Sequence, residues 1–333
     1  ENDAVDYFIY NGVGEITGQA ATFSPLTDFT GDIKVADNGF DIFAGESNRP
    51  VYRPRKLHRN YSKAEVDEII AKNCAIFEGD TLMSGSNNMD YTDYMVGKQF
   101  SLVFDDGSAW DYDITEMGKL KWRDKGSEAW QEEIYRAYEP ADDLIFFTHV
   151  HTGSDPYRCV SIAVDFSNGL ATLVDAQIGN KRTDNEVGNK VLVGVLEYEG
   201  VKAPETRRHC FTRDLVGKSI AWTYSESMSS IHVYSSPCSY SWSICQDNFD
   251  GGMTWSSPCI YVKLREDAYL FGWVEETCGG NQCLVVFNPR IMHDCGFFFG
   301  MFGTGLSVSS LGAYARWAGS YDIMKYFENR HGV

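Results

Sequence analysis

The sequence predicts a mostly β protein: two antiparallel β-domains of one kind in tandem, behind a short N-terminal extension that holds one helix. Three observations predict it. From residue 97 onward, short apolar runs recur about every ten residues with turn residues between them, the pattern of an antiparallel sandwich or barrel. The second half then repeats the first in order and spacing, which indicates an internal duplication. Aromatic residues make up 14% of the chain, and both β-rich folds and ring-lined pockets favour them. At 333 residues each domain has enough chain to bury a core. The expected divisions are 1–89 for the extension, 90–200 for the first β-domain and 201–333 for the second.

Residues 1 to about 75 alternate short apolar runs ("DYFIY", "FDIFAG") with Gly, Asn, Asp and Pro. In "SKAEVDEIIAKNCAIF", Ser62 and Glu65 form a capping box and Val66, Ile69 and Ile70 an apolar stripe, so a helix is expected there. "DTLMSGSNNMDYTDYM" reads as loop. "KQFSLVF", the turn Asp105-Asp106-Gly107 and "AWDYDI" make a hairpin. "KLKWRD", "EIYRAYEP", "LIFFTHVH", "RCVSIAVDF" and "LATLVDAQIG" continue as strands, and the polar "NKRTDNEVGNK" reads as a loop or linker. "DLVGKSIAWTY" then echoes "YMVGKQFSLVF", and "PCIYVKLREDAYLFGWVEE" echoes "EIYRAYEPADDLIFFTHVH". That register sets Tyr261 on Tyr135, Asp267 on Asp143, Phe271 on Phe147, Trp273 on His149 and Glu275 on His151. Gly-rich "GGMTW" and "CGGNQC" lack the strand–loop–helix setting of phosphate binding and read as turns. "GFFFGMFGTG" reads as a buried strand with bulges.

A formal net charge of -18 repels phosphate backbones and anionic membrane surfaces, so neither nucleic acid nor membrane is an expected partner. Nine cysteines without a C-x-x-C pair, in a chain long enough to fold unaided, are read as reduced, buried thiols in a cytoplasmic protein. No apolar run is long enough to cross a bilayer.

The segments "VGKQFSLVFDDG", "SIAVDFSNGLATLV", "RHCFTRDLVGKSIAWTYS", "IHVY", "YSWSICQD", "CIYVKLREDAYLFGWVEE" and "GAYARW" resemble the MoaF family over roughly residues 90–320. The resemblance implies two lipocalin-like barrels in tandem and a small-molecule site inside a barrel, similar to cofactor-free phenolic acid decarboxylases of related shape. It does not by itself imply molybdenum.

In a small barrel, alternate residues of each strand face the lumen. His232 and Tyr234 share one face, as do Tyr240 and Trp242, Tyr261 and Lys263, and Phe271, Trp273 and Glu275; Ile260, Val262 and Leu264 form an aliphatic face. Parity groups these residues without saying which face is inside. If the aromatic faces line the lumen, Glu275 is desolvated by Trp242 and Trp273 and can serve as acid or base. Lys263 would hold a substrate carboxylate or orient Glu275, and Tyr234, Tyr261 and His232 would donate to a developing oxyanion. Tyr240, Trp242, Phe271 and Trp273 would bind the substrate, with His149, His151 and Tyr135 doing so in the first barrel.

Three functions remain open at this level. The first is a cofactor-independent lyase or isomerase acting on a small aromatic or enone-like metabolite. The second is a non-catalytic carrier or sensor. The third is a metalloenzyme using His149 and His151, with Asp111, Asp113 or Tyr135 as a third ligand. The leading reading requires neither organic cofactor nor metal. Its partner is a small, aromatic molecule, and a second copy of the chain is the other candidate partner. His209 and His293 read as structural; Arg207, Arg208 and Arg213 either gather at a barrel mouth or pair with surface carboxylates.

Overall fold

The computed structural model describes residues 60–78, 87–153, 155–180, 183–246, 253–302 and 305–320, and the short strands Glu15–Ile16, Lys34–Ala36 and Gly39–Asp41. The run "DYFIY", most of "DTLMSGSNN" and the glycines of "GGMTW" lie outside the described residues.

The helix forms where the capping box predicts it. Helix α1 spans Lys63–Lys72; the Ser62 hydroxyl accepts from the Glu65 N–H and the Glu65 carboxylate accepts from the Ser62 N–H at 2.9 Å. A short strand, Cys74–Ile76, pairs parallel with Leu306, Ser307 and Val308, and eight longer strands come after it: β1 (Gln99–Phe104), β2 (Ala109–Glu116), β3 (Lys119–Asp124), β4 (Gln131–Ala141), β5 (Leu144–His151), β6 (Asp155–Asp165), β7 (Leu170–Ile178) and β8 (Val187–Glu197). Each is antiparallel to the next, and β8 returns to β1 through Gly194 opposite Phe104, closing a barrel. The second set is β9 (Lys218–Thr223), β10 (Ser229–Val233), β11 (Ser239–Gln246), β12 (Thr254–Arg265), β13 (Ala268–Glu275), β14 (Asn281–Asn288), β15 (His293–Phe302) and β16 (Gly305–Ser320). There β16 pairs back with β9, so the two closed eight-stranded antiparallel barrels share one topology. The polar "NKRTDNEVGNK" is loop only at first. Its last residues begin β8, where Gly188, Asn189 and Lys190 pair with Gln177, Ala176 and Asp175.

The barrels pack side by side, and this decides which strand faces point inward. Phe146, Val174 and Val191 of the first barrel meet Ile260, Val262 and Phe297 of the second in one shared aliphatic core. The aromatic faces therefore turn into the lumens. Strands at this contact are buried on both faces, one in a lumen and one between barrels; hence "LIFFTHVH", "AYLFGWVE" and "NQCLVVFN" are buried throughout. Helix α1 seals the edge of the contact, packing Val66 and Ile70 against Ile178 and Val187 of one barrel and Phe299 and Val308 of the other. Arg265 of the second barrel clasps the buried Asp165 of the first at 2.6 and 2.7 Å, and Asn288 donates to the Pro140 carbonyl at 2.8 Å.

The expected register of the repeat needs one correction. Tyr135 stands opposite His149, but in the second barrel Cys259 stands opposite Trp273, and Tyr261 is opposite Phe271 as Ala137 is opposite Phe147. Tyr261 thus corresponds to Ala137, and Tyr135 to Cys259. The cysteines meet the expectation only in part: Cys159, Cys259, Cys283 and Cys295 are buried, whereas Cys74, Cys210, Cys238 and Cys245 are exposed. No helix among the described residues is long and apolar enough to cross a membrane.

Candidate functional site

Alternation along four neighbouring strands builds the site. In the second lumen, β10 points Ser230 and His232 inward, β11 points Tyr240 and Trp242, β12 points Trp255, Ser257, Cys259 and Tyr261, and β13 points Phe271, Trp273 and Glu275. Rings fill the middle. Tyr240 lies 5.0 Å from Phe271 and Tyr234 5.2 Å from Phe271, while Trp222 reaches across to Phe287 at 5.1 Å. His232 sits among them, 5.1 Å from Tyr240 and 5.9 Å from Trp273. Burial alone pushes its imidazole down to about 3, so it is neutral and can donate at one nitrogen and accept at the other.

Glu275 closes one end. Its carboxylate caps the 3-10 turn Glu276–Cys278, accepting from the Thr277 N–H at 3.1 Å, the Thr277 hydroxyl at 2.6 Å and the Trp273 indole N–H at 3.2 Å. These bonds favour the charged form, yet burial outweighs them and pushes the carboxyl up to about 7. In the same lumen, Ser230 Oγ, His232 Nδ1, Tyr240 OH, Trp242 Nε1 and Ser257 Oγ are buried without a hydrogen-bond partner in the chain. Buried polar groups are nearly always paired, so five orphans in one lumen single it out as the candidate site.

Not every expected residue belongs there. The Tyr234 hydroxyl accepts from the Trp222 indole at 3.2 Å, and the Tyr261 hydroxyl donates to the Ser239 carbonyl at 3.4 Å, so both phenols are already engaged deeper in the barrel. Lys263 has the lumenal parity but lies opposite Tyr269, six residues along the hairpin from the Glu275 level, roughly 20 Å away. Its ammonium pairs with Asp214 at 3.0 Å and Glu266 at 2.9 Å, so it neither orients Glu275 nor reaches a ligand beside it.

Sequence reasoning missed Asp294. It is buried on the lumenal face of β15, accepts from the Ala313 N–H at 2.6 Å, and is pushed up to about 8 by burial. The signal was available: Asp294, Gly296 and Phe298 alternate with the aliphatic-side Cys295 and Phe297.

In the first barrel His149 and His151 are fully lumenal, stacked at 5.2 Å, with His151 on Trp122 at 4.1 Å and the Tyr112 hydroxyl 3.3 Å from His149 Nε2. Burial pushes both imidazoles down, His151 to about 3. The acidic third ligands expected for a metal are not beside them. The inward positions of β2 are Trp110, Tyr112 and Ile114; Asp111 and Asp113 alternate outward, with Asp111 bound by Arg123 at 2.9 Å and Ser101 at 2.7 Å. Tyr135 is lumenal. No group of three His, Cys, Asp or Glu in metal-holding geometry occurs among the described residues. His209 bonds Thr172 at 2.8 Å and His293 the Asn87 carbonyl at 2.7 Å. Arg208 pairs with Asp105 at 2.8 Å and Arg207 donates to Asn168 at 3.3 Å, so these two join the barrels at their surface.

Two closed eight-stranded barrels with polar groups buried in aromatic lumens define a tandem lipocalin-like β-barrel protein. Residues 80–180 match the MoaF N-terminal domain and residues 209–319 the MoaF C-terminal domain; the chain belongs to the MoaF family. It is 36% identical over 66 residues to "Protein MoaF" of Klebsiella aerogenes, an alignment spanning 20% of this chain and a quarter (25%) of that protein. Among solved structures, a Nostoc punctiforme protein of unknown function from the DUF3598 family is 8% identical, covering 66% of this chain and 94% of its own, with a TM-score of 0.28. A Burkholderia vietnamiensis protein provisionally assigned as a beta-lactamase is 15% identical, covering 32% of this chain and 96% of its own, at a TM-score of 0.27. Likenesses that shallow carry no argument about this chain.

Proposed function

We propose that the second barrel binds a small aromatic or enone-like molecule and acts on it as a cofactor-independent lyase or isomerase. General acid–base chemistry at Glu275 would drive the reaction. The observation that supports this most is that five orphaned polar atoms share one lumen with a buried carboxyl poised near neutrality. Glu275 exchanges a proton with the substrate carbon skeleton, a role for which a value near the working pH is best suited. Tyr240 and His232 donate to the substrate oxygen as charge develops, while Trp242, Trp273 and Phe271 hold its plane. Tyr234 and Tyr261 shape the floor.

The test is Glu275→Gln against the wild type on a panel of hydroxycinnamic acids and aryl enones, following product by chromatography and binding by tryptophan fluorescence. Binding is retained and turnover falls by about 10²–10⁴, the usual worth of one acid–base group. Unchanged turnover removes Glu275 from the mechanism. A carrier is the second reading, favoured by the three hydrogen bonds that fix Glu275 as a cap. It requires saturable binding with no product from any ligand, and a single detected product refutes it.

A further inference from the structure

We propose that the end of the first barrel near Glu133 and His151 is a second ligand site, for an uncharged aromatic alcohol, independent of the site around Glu275. The argument starts from strand register. Tyr135 stands opposite His149, so Glu133 and His151, each two residues further, are cross-strand neighbours on the same lumenal face. By the same count in the second barrel, where Cys259 faces Trp273, the equivalent neighbours are Ser257 and Glu275. Each lumen therefore carries one buried carboxyl at the same level, on opposite strands of the hairpin. The likeness extends further. Tyr112 is opposite Trp122 as His232 is opposite Trp242, so both sites have an indole at the same corner.

The first site has its own unmet hydrogen-bonding capacity. His149 and His151 are 0% and 1% exposed, and Nδ1 of His149 and Nε2 of His151 have no partner in the chain. A neutral imidazole offers one N–H and one lone pair. A hydroxyl, which both donates and accepts, satisfies either. The stack of Trp122 on His151, at 4.1 Å and 28°, offers a planar wall for an aromatic ring. Charge selects against an anion: Arg158, the nearby cation, is neutralised by Asp175 through two hydrogen bonds of 2.7 and 2.8 Å. Glu133 accepts from the Thr152 hydroxyl and the Gly153 N–H, two residues of an exposed turn, so the site lies just inside the barrel end.

The probe is 4-methylphenol, uncharged at neutral pH, titrated into the full chain by calorimetry, with benzoate as the anionic control. Two molecules bind per chain and benzoate does not fill the first site. His151→Phe keeps the ring on Trp122 and weakens one of the two sites on the order of tenfold, the loss of one buried hydrogen bond. Trp242→Phe weakens the other. In wild-type chain labelled with ¹⁵N-histidine, 4-methylphenol shifts the His149 and His151 imidazole signals; this readout holds even where a variant folds poorly. Binding confined to the second barrel, with those signals unmoved, overturns this proposal and leaves the reading of Glu275 standing. Binding confined to the first barrel upholds it and counts against that reading. No binding at either barrel overturns it.

Discussion

Glu275 and Asp294 are acids held neutral by burial, and that has a sign. An unfolded Glu loses its proton near 4.5 whereas the native one keeps it until about 7, so across that window the native state binds more protons and stability falls as pH rises. The effect is on the order of 3 kcal/mol for Glu275. Glu275→Gln should therefore flatten the fall in urea stability between pH 5 and pH 8; an unaltered slope would mean that Glu275 is not neutral in the native state. Asp294→Asn makes the same prediction over a window from 3.8 to about 8, and the two slopes add if the lumen ends are independent. At this scale the sequence was partly legible. Alternation groups the residues that share a face, so His232, Tyr240, Trp242, Trp273 and Glu275 fall together from the sequence. Lys263 obeyed the alternation but not the site, because parity says nothing of distance along a strand. Asp294 follows a turn, where an acidic residue ordinarily stays in water, so its inward parity alone did not mark it as buried.

At the scale of elements, the closure of the first barrel depends on one close approach. A Cβ on Gly194 would come within 2.2 Å of the Val103 carbonyl, at the point where β8 leaves β7 for β1. Gly194→Ala should cost about 1–3 kcal/mol by overpacking, measured by denaturant unfolding. Ser62→Ala removes the cap of α1 and should cost about 1 kcal/mol. If Ser62→Ala also speeds hydrogen exchange in β8 and β16, the helix is confirmed as the seal of the seam between barrels. Strands and capping box were legible because each has a local cause, alternation or a side chain bonding its own backbone. The pairing register was not. It is set by where two strands align in three dimensions, so the match of Tyr261 to Tyr135 was off by two residues while Trp273 to His149 was right.

For the whole molecule, the shared aliphatic core implies that the barrels unfold together. Asp165 is 0% exposed and held near 2 by Arg265 and its own turn, so its contribution is present above 3.8 and lost as pH falls through about 2. Arg265→Met strands that carboxylate without its cation, at a cost of about 3–5 kcal/mol. Calorimetry should then show a single wild-type transition moving down and separating into two in the variant; one unbroken transition would show that the apolar contact alone couples the barrels. The neutral histidines act in the same direction as Asp165 and opposite to Glu275 and Asp294. His151 and His232 resist protonation until about 3, so stability falls as pH drops below about 6.5. Tandem organisation was legible from repetition, but the direction of the faces was decided by the neighbour each barrel leans on.

That contact also bears on why the two barrels share one chain. A lone barrel carrying Phe146, Val174 and Val191 outward would leave an apolar flank wet, and would pair with a second copy of itself. Joining two such barrels in one chain makes the partner permanent and its local concentration independent of expression. Physically, the tandem chain behaves as a dimer whose subunits are tethered. Because one chain holds both halves, no symmetry binds them to be alike: one lumen sets paired imidazoles near Glu133, the other a single imidazole near Glu275.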